Sequence, residues 1–261
     1  NSLPTYFARP SQSALDALPL TRNDLQAQPN PLTQQYFDAG FRAPITSFKP
    51  VGNSVYHGLA TQVTKRMSRD LQFSSGYTWS RNIDDSTIPV FSSLIVPRRA
   101  QDSYNLRPER ASSALDRRHR LSVSSVYDAP WLRNSESWWL RNLAGNFTFS
   151  GTYIAESPMY ATVQSLSDAN LNGDIFGDRA VINPSGDALR GSGSLPLSNS
   201  AGRVVGYLAA DPSARYVAAG PGTFANGGRQ TLPLRGINNF DLSLMKNFDL
   251  AEGKKLQFRS D

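Results

Sequence analysis

With 261 residues the chain can form one large all-β domain or two small ones. Hydrophobic residues make up only 39% and charged residues 18%, and there is no cysteine, which excludes disulfide frameworks, thiolate metal sites and cysteine nucleophiles. The net charge of +6 is scattered rather than gathered into a basic run with interleaved aromatics, which argues against nucleic-acid binding, and no apolar run reaches the roughly 18 residues of a membrane-spanning helix.

Residues 1–52 are rich in Pro, Asn, Gln and Ser with weak periodicity, which predicts mostly loop with at most one or two short strands. The start, Asn1-Ser2-Leu3-Pro4-Thr5, has neither a basic opening nor an apolar signal core, and the other end stops inside an alternating run, so the chain reads as a fragment. From Val55 to Lys65, Leu59, Thr61 and Val63 share one face and Ala60, Gln62 and Thr64 the other, predicting a strand. Lys65-Arg66-Met67-Ser68-Arg69-Asp70 is then a brief polar turn into Leu71–Trp79. There Leu71, Phe73, Tyr77 and Trp79 stand opposite Gln72, Ser74, Gly76 and Thr78, the period of two that defines a strand with unlike faces.

A long polar segment from Arg81 to about Arg118 follows, holding Asn82-Ile83-Asp84-Asp85-Ser86, Pro97-Arg98-Arg99 and Arg107-Pro108-Glu109-Arg110. Alternation resumes with Leu121, Val123, Ser125 and Tyr127 and ends at Ala129-Pro130-Trp131; a shorter connection through Trp138 and Trp139 leads on. Phe147, Phe149, Gly151 and Tyr153 then oppose Asn146, Thr148, Ser150 and Thr152, before a very long loop from about Glu156 to Gly236. The last hairpin carries Phe240, Leu242 and Leu244, turns at Ala251-Glu252-Gly253-Lys254, and returns with Leu256 and Phe258. The organisation expected is therefore 1–52 mostly loop, 54–154 four strands, 155–237 long loop and 238–261 a truncated terminal hairpin, all within one domain.

Short and long connections alternate along this series. Antiparallel neighbours with short turns at one end and long loops at the other match bacterial outer-membrane barrels, where apolar side chains meet lipid and polar ones line a hydrated lumen. The predicted fold class is thus all-β, an antiparallel transmembrane β-barrel of which the chain supplies part of the wall and long extracellular loops. Tyr77, Trp79 and Tyr153 then suit one aromatic girdle and Tyr127 and Trp131 the other. A soluble secreted β-sandwich with Leu71, Phe73, Phe147 and Phe149 as core is the alternative that period two alone leaves open.

The stretch from Tyr56-His57-Gly58-Leu59 through Leu71-Gln72-Phe73-Ser74-Ser75-Gly76-Tyr77-Thr78-Trp79-Ser80-Arg81-Asn82-Ile83-Asp84-Asp85-Ser86 resembles the barrel of TonB-dependent receptors. So do Asp116-Arg117-Arg118-His119-Arg120-Leu121 with Tyr127-Asp128-Ala129-Pro130, Gly145–Gly151, and Asn239–Leu244 through Lys246-Asn247-Phe248 to Leu256-Gln257-Phe258-Arg259. More narrowly, the chain looks like the Oar-like group, which often carries a carboxypeptidase-regulatory-like domain. The resemblance implies a non-catalytic receptor of the bacterial outer membrane. It would bind an unknown ligand and import it, with outer-membrane lipid and the energy-coupling TonB complex as partners. Such barrels have about 22 strands, so these strands would be part of a wall. A surface adhesin or a passive porin-like barrel is the other function this architecture allows.

Among local motifs, Asp168, Asn170, Asn172 and Asp174 place oxygen ligands at alternate positions around Gly173, like the start of a calcium loop, with Asp178 beyond. Arg179 stands where such a loop would end in a bidentate Glu, and a series of Asx-turns is the competing reading. No other cofactor is implied. Asp116, His119 and Arg120 lack a nucleophile motif and read as a rim salt bridge or hydrogen bond; His57 and His119 belong to no metal-ligand pattern. The arginines 98, 99, 107, 110, 117, 118 and 120 read as a solvated rim paired with Asp and Glu, or as a surface for anionic lipopolysaccharide or substrate.

Overall fold

A computed structural model describes residues 1–27, 31–41, 50–85, 99–251 and 254–261. Ser86, Pro97 and Arg98 of the first long segment and Glu252-Gly253 of the last turn, which were expected in loop and turn, lie outside the described residues. The chain divides into two compact units, where a single domain with loops was expected. One comprises Tyr56–Asn82, Leu115–Met159 and Leu234–Asp261; the other comprises Asn1–Val55, Ile83–Ala114 and Tyr160–Pro233.

The first unit is a wall of strands. Six of them, β1 (Ser54–Ser68), β2 (Leu71–Asp84), β3 (His119–Asp128), β4 (Phe147–Glu156), β5 (Ile237–Ala251) and β6 (Lys254–Ser260), follow one another in a single antiparallel meander. Short Ala111–Ser112 pairs with the end of β2 to complete the seven-stranded sheet. The sheet is open, with β1 and β6 at its two edges. All six expected strands are present, and several are longer than their apolar alternation. The six-residue polar turn expected at Lys65–Asp70 shrinks to Arg69-Asp70, because β1 runs on to Ser68. Both turn residues have positive φ, 50° and 60°, as a two-residue hairpin that follows the strand twist requires. Polarity at Lys65 and Arg66 therefore marked the end of the apolar band rather than the end of the strand.

Register aligns the odd positions of β2, β3 and β4 with the even positions of β5 on one face. Phe73, Ser125, Gly151 and Leu242 form one row, and Leu71, Tyr127, Phe149 and Leu244 the next. The opposite face carries the row Ser74, Ser124, Thr152 and Asp241. Leu59, Val63, Phe240, Leu242 and Phe258 of the apolar face are exposed, the reverse of a soluble sheet that buries its apolar side.

The second unit corrects the expectation of loop. Residues 1–52 hold strand Thr5–Tyr6 and three short helices, α1 (Gln12–Asp16), α2 (Arg22–Gln26) and α3 (Pro31–Asp38). The helix starts were written in side chains: Ser11 Oγ accepts from Ala14 N, and Thr21 and Asp24 close a reciprocal capping box. Within 155–237, Asp187–Ser192, Ser194–Ser198, Val204–Ala209 and Ala214–Val217 are strands, and Thr5–Tyr6 pairs in parallel with Tyr207–Leu208. Leu15, Leu197 and Val205 form a core that Tyr6, Leu18 and Leu208 close. Val204-Val205-Gly206-Tyr207-Leu208-Ala209 is an unbroken apolar run, buried on both faces, which a search for period two passes over.

Candidate functional site

Two surfaces of the wall and the interior of the second unit carry the residues that chemistry can use. On the polar face of the wall, hydroxyls and amides meet across strands. Thr64 Oγ1 lies 3.4 Å and Gln62 Nε2 3.5 Å from Ser74 Oγ, and Thr148 Oγ1 donates to Asp128 Oδ1 at 2.6 Å. Such a face suits water or polar solute. The apolar face is bounded by aromatic residues at both ends. At one end Tyr77 Oη sits 2.8 Å from His119 Nδ1, with Trp79 directly opposite His119 in the register. At the other, Trp131 packs edge-on against Tyr127 and Phe149, each with ring centroids 6.3 Å apart. These are the end positions expected for Tyr77, Trp79, Tyr127 and Trp131, but Tyr153, expected beside Tyr77 and Trp79, lies in the middle row with Ser75, Val123 and Phe240, because β4 runs on to Glu156.

Asp116, His119 and Arg120 are brought to the start of β3, at one end of the strands, but to separate partners. Asp116 Oδ1 accepts from Asn82 N at 2.7 Å and its other oxygen faces Arg118 at 3.6 Å, while Arg120 pairs with Glu156 at 3.0 Å. Arg117 lies 3.8 Å from the same Glu156. With His119 turned to Tyr77, this is the paired rim that the sequence suggested.

Inside the second unit, four charged side chains are buried in two ion pairs. Arg229 pairs with Asp84 and also donates to the carbonyls of Asp84 and Glu109, the latter at 2.7 Å. Arg179 pairs with Glu109, both side chains 3% exposed, and donates to the carbonyls of Pro108 and Gly227 at 3.2 and 3.3 Å. Burial lowers the Arg179 pKa, opposed by the charge of Glu109. Gln101, also buried, links the same segments: its N donates to Glu109 Oε1, its Nε2 to Ala225 O, and its Oε1 accepts from Arg179 N. Gly227 approaches so closely that a Cβ there would lie 2.4 Å from Ala180 O. Sequence reading left Glu109 in a long polar segment and noted Arg179 only as the residue that spoils a calcium loop. Its burial against Glu109 explains why arginine stands there. Single charged residues in polar segments give no sign of burial, so Gln101, Glu109 and Arg229 had no local signal as a group.

Two cavities open in this unit. One, of 470 Å³, is lined by Gln101, Asp102, Asn105, Phe224 and Asn226 among others. The second, of 350 Å³, is lined by Arg22, Ser165, Ser167, Ser194 and Tyr207.

The Asp168 loop is built from its own amides. Asp168 accepts from Asn172 N and Gly173 N at 2.9 and 3.0 Å, Asn170 Oδ1 from Asn172 N at 3.1 Å, and Asn172 Oδ1 from Asp174 N at 2.8 Å. Asp174 accepts from Phe176 N and pairs with Arg99. These are successive Asx-turns. Among the described residues, no group of three or more acidic, histidine or cysteine side chains is placed to hold a metal ion. Asp178 lies beneath, its Oδ2 accepting from Ala169 N at 2.6 Å and Asn170 N at 3.2 Å. Burial pushes its pKa up to about 6, with the charges of Asp168 and Asp174 adding and the two amide bonds opposing. The folded loop then binds more protons than the unfolded one between the ordinary 3.8 and about 6. Its stability is therefore greatest below that window and falls as pH rises through it. Asp178→Asn keeps an acceptor for the amides and removes the titration. Hydrogen exchange at Ala169 N–H is expected to accelerate from pH 4.5 to 7.5, after correction for intrinsic rates, in the native chain but not in the variant.

A family model described as "Outer membrane beta barrel domain" matches residues 8–261. No curated protein and no solved structure matches the chain.

Proposed function

The chain belongs to the outer membrane β-barrel domain family, and on that premise we propose that it forms part of the wall and the outward-facing recognition surface of a TonB-dependent receptor of the Oar-like type, non-catalytic, that binds a ligand and imports it. Membership places the protein in the bacterial outer membrane and replaces the soluble sandwich alternative. The observation that supports a receptor is the second unit. The long segments 83–114 and 160–233 join β2 to β3 and β4 to β5, so both leave the strands at the ends opposite the short β1–β2 and β5–β6 turns. In outer-membrane barrels the long loops face the cell exterior. Among the described residues, 99–114 and 160–233 are folded and carry a buried ion pair, Glu109 with Arg179, which supports a shaped recognition surface rather than the loose loops that a passive pore needs.

The test uses the periplasmic domain of TonB as probe. The full-length protein, extracted from outer membranes in detergent, is expected to bind that domain in a pull-down and to lose binding when its coupling segment is deleted. A porin-like barrel or an adhesin would show no such binding, and that result would sink the receptor reading while leaving the barrel intact.

A further inference from the structure

We infer that the connection between β3 and β4, residues 129–146, is an interfacial anchor that inserts into the phospholipid leaflet on the short-turn side of the wall. The inference rests on the wall spanning the membrane. It begins from an inverted pattern of burial. Trp138 to Ala144 make a tight helical turn, the last five residues of it π-helical. A turn washed by water buries its apolar residues and exposes its polar ones. This one does the opposite: Asn142 is 1% exposed, while Trp139 is 66%, Leu143 63% and Leu140 49% exposed. Asn142 Oδ1 accepts from Asp249 N at 2.8 Å, so the polar residue is the pin that holds the turn to β5 and aims its apolar side chains outward.

The backbone is built to keep that orientation. Leu132 has φ of 55°, a conformation costly for a bulky side chain, and its side chain is exposed. Gly145 passes so close that a Cβ would meet Arg141 O at 2.8 Å and the Leu132 carbonyl at 3.0 Å. A strained leucine and an obligatory glycine, crossing to present leucine and tryptophan to the outside, make no sense for a surface connection in water.

Continuity names the occupant. Trp131 touches Tyr127 and Phe149, which belong to the row Leu71, Tyr127, Phe149 and Leu244 of the apolar face. The apolar surface of the wall thus extends through Trp131 onto the connection, and Gly145, closely packed against the Leu132 carbonyl, brings the far end of the helical turn back beside it, so lipid that covers the wall reaches the connection. One exposed cation flanks it, Arg133, held by Asp70 at 2.9 Å, whereas Lys246 is buried, its ammonium folded over the Phe147 ring at 4.2 Å toward Gly145 O, so that its charge is kept off the apolar face. Aromatic rings with a basic neighbour at the end of a lipid-facing wall fit the headgroup boundary of a phospholipid monolayer. The anchor fixes the height of the wall in the membrane.

The test uses full-length protein folded into vesicles of phosphatidylethanolamine and phosphatidylglycerol, with folding checked by heat-modifiable gel mobility. Trp139 is kept as the sole tryptophan by Trp79→Phe, Trp131→Phe, Trp138→Phe and the same replacement of every tryptophan outside residues 1–261. The expected result is blue-shifted emission, quenched by phospholipid brominated high in its acyl chains and resistant to acrylamide in water. Leu143→Gln is expected to shift that emission to the red and weaken the lipid quenching. A second protein, with Trp79, Trp131, Trp138, Trp139 and every other native tryptophan replaced by Phe and with Leu242→Trp, reports immersion of the wall independently, so failure of the anchor and failure of the barrel are distinguishable. Quenching of Trp139 by acrylamide and not by bromolipid, with Leu242→Trp still quenched by lipid, would overturn the inference. Protection of Trp139 from both quenchers would overturn it as well, by assigning the turn to a protein contact.

Discussion

Replacing Leu242 by arginine is expected to destabilise the wall in a bilayer by about 1–3 kcal/mol, between the cost of a cation at the bilayer midplane and the smaller cost near the interface on the lipid face of a barrel. Ser124→Arg, one strand row away but on the opposite face, is expected to cost far less. The register supplies the reason. Leu242 shares its row with Gly151, Ser125 and Phe73, and that row lies between the aromatic residues at the two ends of the apolar face. Opposite Gly151 the Leu242 side chain covers bare backbone, for a Cβ on that glycine would come within 3.1 Å of Leu242 Cδ2. Arginine at 242 both uncovers that backbone and carries charge into hydrocarbon. Ser124 stands on the polar face beside Ser74 and Thr152, where a guanidinium finds hydroxyls and water. Urea unfolding of the two variants in vesicles, followed by tryptophan emission, measures the difference. Equal destabilisation would mean that the faces have been assigned to the wrong media.

That assignment was legible in the sequence because period two is imposed residue by residue. Leu71, Phe73, Tyr77 and Trp79 had to share a face whatever they met, and the alternation of short and long connections named the medium. The tip of each strand was harder. Lys65 and Arg66 continue the β1 backbone after its apolar contacts have ended, and backbone pairing leaves no trace in side-chain polarity. The second unit was largely hidden for a different reason. Its strands are short, two of its described strand pairings are parallel, and its buried charges are joined across the chain: Asp84 to Arg229, Glu109 to Arg179. Pairing at that sequence distance has no local pattern. What was available and passed over were the capping box at Thr21 and Asp24 and the unbroken run from Val204 to Ala209. In the Asp168 loop, alternate oxygens were legible but their use was not, since the same spacing serves a cation or the backbone amides of successive turns.

Arg229→Met is expected to be the most damaging single change in the second unit, because it removes the cation and leaves Asp84 buried without its pairing charge. Breaking one side of a buried ion pair costs about 3–5 kcal/mol, since the remaining charge has lost solvent and partner together. Here the loss is compounded: Arg229 also donates to the carbonyls of Asp84 and Glu109, in the segment that bears the Glu109–Arg179 pair. The asymmetry of buried pairs gives the control. Removing both charges with Arg229→Met and Asp84→Leu restores part of the stability, because no unpaired carboxylate is left to desolvate, whereas Asp84→Leu alone strands the guanidinium. Limited proteolysis of the protein in outer-membrane vesicles reads this directly. The single variants are expected to be cut within 99–114 and 160–233 at protease concentrations that spare the native chain and largely spare the double variant. The wall depends on its own strand pairing and lipid rather than on this clamp, so it is expected to keep its heat-modifiable mobility throughout. A double variant no more resistant than Arg229→Met would mean that the carbonyl bonds, not the charge pair, hold the unit closed.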